Sequence, residues 1–172
     1  MMQLTFQPAY DSYHAIFRLF RLRNILESTR AYRDTARILD FYLLFPFRID
    51  EIRLSPKHRG YRKLASTYSN IQPYGGLPES IIVFERMAPM QQAASETLKI
   101  QGFLDNHSFD QGIVSWTDKQ ASLTLTLRVD EQNKRQDDLL TFLAILATEY
   151  PLLGESGLKA RTGLIEYRYD PV

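Results

Sequence analysis

Three histidines, His14, His58 and His107, are the side chains of this 172-residue chain best suited to move a proton or hold a metal ion. Either task needs a partner at close spacing, such as a second histidine four residues on, so that both rings leave one helix face. None has one, and His14 is expected to be packed or hydrogen-bonded on the first helix. Asp137 and Asp138 adjoin each other, with Asp130 and Glu131 just before them. Sequence neighbours point in different directions, so the pair reads as acids at a helix N-terminus, favoured by the helix dipole, and not as a dyad. There is no G-x-S-x-G elbow and no G-x-x-x-x-G-K-[ST] loop. Gly75–Gly76 and GESG (154–157) read as turns. With no cysteine there is no disulfide and no thiolate chemistry. No catalytic, cofactor-binding or metal-ligating residue is expected, and no small-molecule substrate.

The cations are more suggestive. Residues 1–63 hold 12 Lys/Arg against 6 Asp/Glu, net +6, while 64–172 hold 9 against 14, net −5, which together give the overall +1. Such an asymmetry suits an electrostatically guided partner; the alternative is that the two halves mix in one fold and neutralise locally. Arg18, Arg21, Arg23, Arg59, Arg62 and Lys63 are the candidate phosphate contacts if they share a face. The competing expectation is that arginines bridge helices by pairing with acids.

The elements that would position these groups follow from periodicity. Residues 10–28 read as a helix capped by Asp11 or Ser12, with Tyr13, Ile16, Phe17 and Phe20 on one side. Residues 31–45 read as a second helix, which Pro46 ends. Ile38, Phe41, Tyr42 and Phe45 recur at i, i+3, i+4 and i+7, and Leu39, Leu43 and Leu44 fill most of the rest. A helix apolar nearly all round is enclosed by protein, either at the centre of the core or against a partner. Within it Asp40 must reach the surface or pair with an arginine such as Arg37, because an unpaired buried carboxylate is costly. Residues 49–72 read as a connector with a short helix from about Gly60, and PYGGLP (73–78) as a turn. ESIIVFERM (79–87) fits helix or strand. A helix is expected from Pro89, in its first turn, to Leu104, and another over 137–151. GIVSW (112–116) and ASLTLTLRV (121–129) alternate and read as a β-hairpin, with a last strand in GLIEYRY.

That order predicts an α+β chain, mostly helical: a winged-helix-like domain whose wing is the hairpin. One domain is expected, with an N-terminal helical arm (1–48) and a winged-helix-like body (49–172). The wing tip TDKQ is nearly neutral and the helix before the hairpin carries few charges, so protein docking suits it at least as well as DNA reading. Phe17, Phe20, Phe41, Tyr42, Phe45 and Phe47 are the candidate partner-packing residues, with internal packing of each as the competing expectation. MMQLTFQPAYD lacks a leader pattern, and no apolar run approaches the roughly 20 residues of a membrane span. The cytoplasm is expected, with no membrane partner.

QPAYDSYHAIFRLFRLR, RILDFYLLFPF, LPESIIVFERMAPMQQAASETLKIQGFLD and GIVSW resemble the small middle components of bacterial three-component ABC ATPase conflict systems, a group that includes Lamassu-type antiphage systems. The likeness covers about residues 1–129. It implies a non-catalytic adaptor linking an SMC/RecN-like ABC ATPase to an effector, often a nuclease, through a winged-helix-like domain. It supplies no catalytic residue. Nonspecific DNA contact inside such a complex is a separate expectation, from the cations. The alternative is a DNA-binding winged-helix regulatory protein.

Overall fold

A computed structural model describes residues 8–171. Of the stretch read above for a leader pattern, MMQLTFQPAYD, residues 1–7 lie outside the described residues. Eight α-helices occur among the described residues: α1 (Ser12–Thr29), α2 (Arg33–Leu44), α3 (Lys63–Thr67), α4 (Ser80–Ile100), α5 (Asn106–Asp110), α6 (Leu123–Arg135), α7 (Asp137–Glu149) and α8 (Leu158–Thr162). Short 3-10 stretches connect them, notably Pro46–Glu51 and Pro56–Arg62.

α1 packs against α2, α4, α6 and α7, and α2 packs against α4 and α7. One buried cluster draws on residues from Ala9 to Leu164. α2 lies inside it: Ile38, Leu39, Phe41 and Tyr42 are wholly buried. The Phe41 ring meets those of Tyr42, Phe45 and Phe84 at 5.1, 5.2 and 5.9 Å between centroids. The all-round apolar helix is therefore a core helix. Asp11 caps α1 by accepting from the His14 backbone N–H at 3.0 Å. α1 ends on Arg30 in the left-handed region (φ 46°), a place that favours glycine.

The α+β expectation is overturned: the described chain is helical with no sheet, so it is all-α and not a winged helix with a hairpin wing. From Leu123 on, ASLTLTLRV forms the first half of α6, and the Ser122 hydroxyl caps it by accepting from the Leu125 backbone N–H at 3.2 Å. The reason for the misreading is arithmetic. Leucines alternating every second residue also recur every fourth, so 123/127 and 125/129 are helical i, i+4 pairs as much as strand faces. The polar DEQNKR that follows then extends a helix, aided by the Arg135–Glu131 ion pair at 2.7 Å.

GIVSW is extended, but it forms single antiparallel bridges with two other segments, Ile113 with Tyr32 and Trp116 with Leu104. GLIEYRY makes no strand, and Leu164 simply plugs the core. ESIIVFERM and the helix expected from Pro89 are one continuous α4, with Pro89 inside it and not in its first turn. Pro89 offers no N–H to the Glu85 carbonyl. Both residues are exposed and line an open cleft, where water can satisfy that carbonyl. Gly102, in the left-handed region at φ 81°, closes the end of α4.

Candidate functional site

Asp40 neither reaches the surface nor pairs with Arg37. Arg18 of α1 grips it with two parallel bonds, Nε to Oδ1 at 2.5 Å and Nη2 to Oδ2 at 3.2 Å. Gln91 of α4 donates to Oδ2 at 2.8 Å and accepts from Arg37 Nε at 3.1 Å. Arg18 Nη1 donates to the Pro8 carbonyl at 3.1 Å. Three helices thus share one buried, hydrogen-bonded carboxylate, which ties the bundle together and leaves no oxygen free for chemistry.

The histidines stay apart. His107 is exposed, with a ring nitrogen 3.1 Å from Gln111. His14 is exposed and lines a groove beside Phe17. His58 is buried in a cluster that the sequence did not reveal. Its Nδ1 lies 2.7 Å from the Tyr150 hydroxyl and 3.3 Å from Ser55 Oγ, and its Nε2 lies 3.3 Å from Glu149 Oε2. Serine, histidine and glutamate come in the order of a nucleophile, base and orienting acid, but Tyr150 takes the shorter bond to Nδ1. None of the described cavities reaches these residues. The cluster clasps the 3-10 stretch Pro56–Arg62 to the end of α7. Lys57 closes it from outside with a 2.6 Å bond to Glu149. That bond holds the Glu149 carboxyl below the usual range and raises the Lys57 ammonium. Ser55-x-x-His58 was visible in sequence; Glu149 and Tyr150, more than ninety residues on, were not.

Asp138 accepts from the Leu139 N–H at 2.8 Å and from the Tyr68 hydroxyl at 2.6 Å, which ties the α7 N-terminus down. Burial first, then this bond, raises the Tyr68 phenol. Among the described residues no group of three or more His, Asp or Glu stands where it could hold a metal ion.

The six candidate phosphate contacts separate into two sets. Arg18 and Arg21 are buried. Arg21 donates to Asn133 at 2.9 Å and to Gln136 at 2.7 Å, fastening α6 to α1, and burial pulls its pKa down to about 10. Arg23 is half-buried, paired with Glu27 at 2.8 Å and stacked over Trp116 at 4.9 Å. Arg59, Arg62 and Lys63 are exposed. Of the six candidate partner-packing rings, Phe20, Phe41, Tyr42 and Phe45 are buried in the monomer core, while Phe17 and Phe47 are half-buried.

The most exposed apolar side chains are not among these six. α6 buries none of its 13 residues. Leu125 and Val129 lean on the core, while Leu123 and Leu127 point outward, 75% and 59% exposed. Between α6 and the first turns of α1 runs an open groove of about 370 Å3, lined by Tyr13, His14, Ile16, Phe17, Leu125 and Arg128. Exposed apolar side chains also border the loop into α4: Ile71, Tyr74, Ile81 and Ile82.

The model of the family described as ABC-three component (ABC-3C) system Middle Component 5 matches residues 4–170. The chain belongs to that family. Comparison with curated proteins and with solved structures gave no match. As an ABC-3C middle component, the chain partners other components of such a system, and exposed apolar helix surface is where a partner gains most. Among the described residues no helix is long and apolar enough to cross a membrane.

Proposed function

We propose that this middle component is a non-catalytic adaptor that joins an SMC/RecN-like ABC ATPase to a nuclease-like effector in a bacterial defence against phage or plasmid DNA. The observation that carries this reading is α6, a helix with no buried residue that turns an i, i+4 leucine pair to solvent. Two exposed leucines on one helix face suit the groove of a partner helix or sheet. An adaptor needs a second surface, and the loop bearing fully exposed Tyr74, with Ile71, Ile81 and Ile82, supplies one on different elements. Half-buried Phe17 belongs to the first surface, where it lines the groove beside α6. The rings sealed in the core serve the adaptor by keeping its shape.

The test is co-expression with the ATPase and effector encoded beside it, followed by affinity capture. The wild-type chain is expected to retain both. Leu123→Asp with Leu127→Asp releases one and retains the other, and Tyr74→Asp does the reverse. Because these side chains are exposed, circular dichroism should show both variants folded. If the folded wild-type chain captures neither component, or if both variants keep both, the reading fails.

A further inference from the structure

From residue 52 to residue 78 the chain contains no Asp or Glu, yet Arg53, Lys57, Arg59, Arg62 and Lys63 crowd into its first dozen positions. All five are exposed. The fold makes a face of them. Arg59 and Arg62 lie three apart in the 3-10 stretch Pro56–Arg62, where i and i+3 side chains eclipse, and Lys63 continues directly into α3. Arg62 Nη2 donates to the Ile52 carbonyl at 3.2 Å. Arg161 of α8 donates through Nη1 to the very next carbonyl, that of Arg53, at 2.6 Å. Arg53 in turn donates to the Ala160 carbonyl at 2.5 Å. Two consecutive carbonyls thus hold Arg62 and Arg161 beside Arg53.

The partners of these cations differ from those elsewhere in the fold. Arg18, Arg23, Arg37 and Arg48 each meet a carboxylate. Arg53, Arg62 and Arg161 meet backbone carbonyls, which aim a guanidinium without cancelling its charge. Arg59 and Lys63 have no ion-pair partner among the described residues. Of the carboxylates on adjoining segments, Glu149 is engaged by Lys57 and His58. Glu51 meets Arg48, and Asp138 accepts from the Tyr68 hydroxyl. Exposed Asp50 and Glu155 also adjoin the stretch, and neither pairs with any of the five cations.

We propose that Arg53, Arg59, Arg62, Lys63 and Arg161 form a binding face for the phosphate backbone of nucleic acid, independent of base sequence. Arg and Lys are the usual donors to phosphate oxygens, and such contacts position a chain without reading it. Arg59 and Arg62 stand about 6 Å apart along a 3-10 axis that rises about 2 Å per residue, close to the rise of two phosphates, about 3.4 Å each per strand, along the duplex axis. Residues 53–63 contain no Asn or Gln, the side chains that pair with adenine edges.

The experiment measures fluorescence anisotropy of a labelled mixed-sequence DNA duplex titrated with the full chain over a salt series. Five phosphate contacts give a log–log salt slope of about −4.5 and an affinity loss of about 500-fold between 50 and 200 mM salt. Arg59→Gln with Lys63→Gln should cut the slope to about −2.7 and the loss to about 40-fold. Arg86→Gln with Lys134→Gln, which removes two exposed cations elsewhere, should leave the slope unchanged. No binding at 50 mM salt, or equal slopes for the two double variants, would overturn the proposal. So would polyglutamate binding as tightly as DNA at matched charge, since the face would then be built for an acidic protein.

Discussion

Replacing Asp40 with leucine should damage the fold far more than an ordinary surface ion pair would suggest. The side chains of Arg18 and Asp40 are 6% and 3% exposed. Loss of the carboxylate leaves a guanidinium buried, with the Pro8 carbonyl as its remaining acceptor. Breaking a buried pair in this way costs about 3–5 kcal/mol. For a chain of this size each kcal/mol lowers Tm by about 2–4 °C, so a fall of roughly 6–20 °C is expected. Arg18→Met combined with Asp40→Leu should restore most of it, because apolar replacement of a whole buried pair is often neutral. Thermal melts followed by the fluorescence of the single tryptophan, Trp116, which packs 5.3 Å from the Phe20 ring of α1, would report both. A double variant no more stable than Asp40→Leu alone would refute the reasoning, since the cost would then come from the bulkier leucine or from the bond Gln91 loses, and not from a stranded charge.

Three further outcomes follow from the packing. A Cβ on Gly157 would lie 2.3 Å from the Leu153 carbonyl oxygen and 2.7 Å from that of Leu152, which also accepts from Lys159 at 3.2 Å. Gly157→Ala should therefore cost about 1–3 kcal/mol in a thermal melt, and an unchanged Tm would count against the tight turn. The Tyr42 hydroxyl is buried without a hydrogen-bond partner among the described residues, and burial raises its pKa; Tyr42→Phe should be neutral or stabilising by about 1 kcal/mol, and a clear loss on urea melting would mean that the hydroxyl is bonded. The Lys57–Glu149 bond depresses the Glu149 carboxyl from its ordinary 4.5 and raises Lys57 from 10.5. Its contribution is present between those values. It is lost as pH falls through the lowered carboxyl pKa or rises through the raised ammonium pKa. Glu149→Gln should flatten both limbs of a stability-against-pH curve, and an unaltered acid limb would show that Glu149 is not involved.

Much of the fold was legible because α1, α2 and α7 carry strong 3.6-residue patterns with local stops: Asp11 caps one, and Pro46 and Pro151 halt two others. α6 was not, because its alternating leucines satisfy both periods, and the local helix signals, the Ser122 cap and the Glu131–Arg135 pair, are too weak to choose between them. The choice falls to packing: as a helix the segment sets Leu125 and Val129 on the core and gives Arg21 its two amide acceptors. Pro89 misled for a related reason, since a proline within a helix is tolerated where the freed carbonyl meets water.

By itself the sequence determined that α2 would be enclosed by protein, that Asp40 within its apolar run would need a partner, and that positive charge would gather in residues 53–63. Only the tertiary structure decided which arginine meets Asp40, which aromatic rings are sealed inside, and which cations stay unneutralised. Asp40 lies 22 residues from Arg18, and Arg53 lies 108 from Arg161. Side-chain periodicity reports which way a residue faces within its own element, and it carries no record of the distant segment waiting on that side.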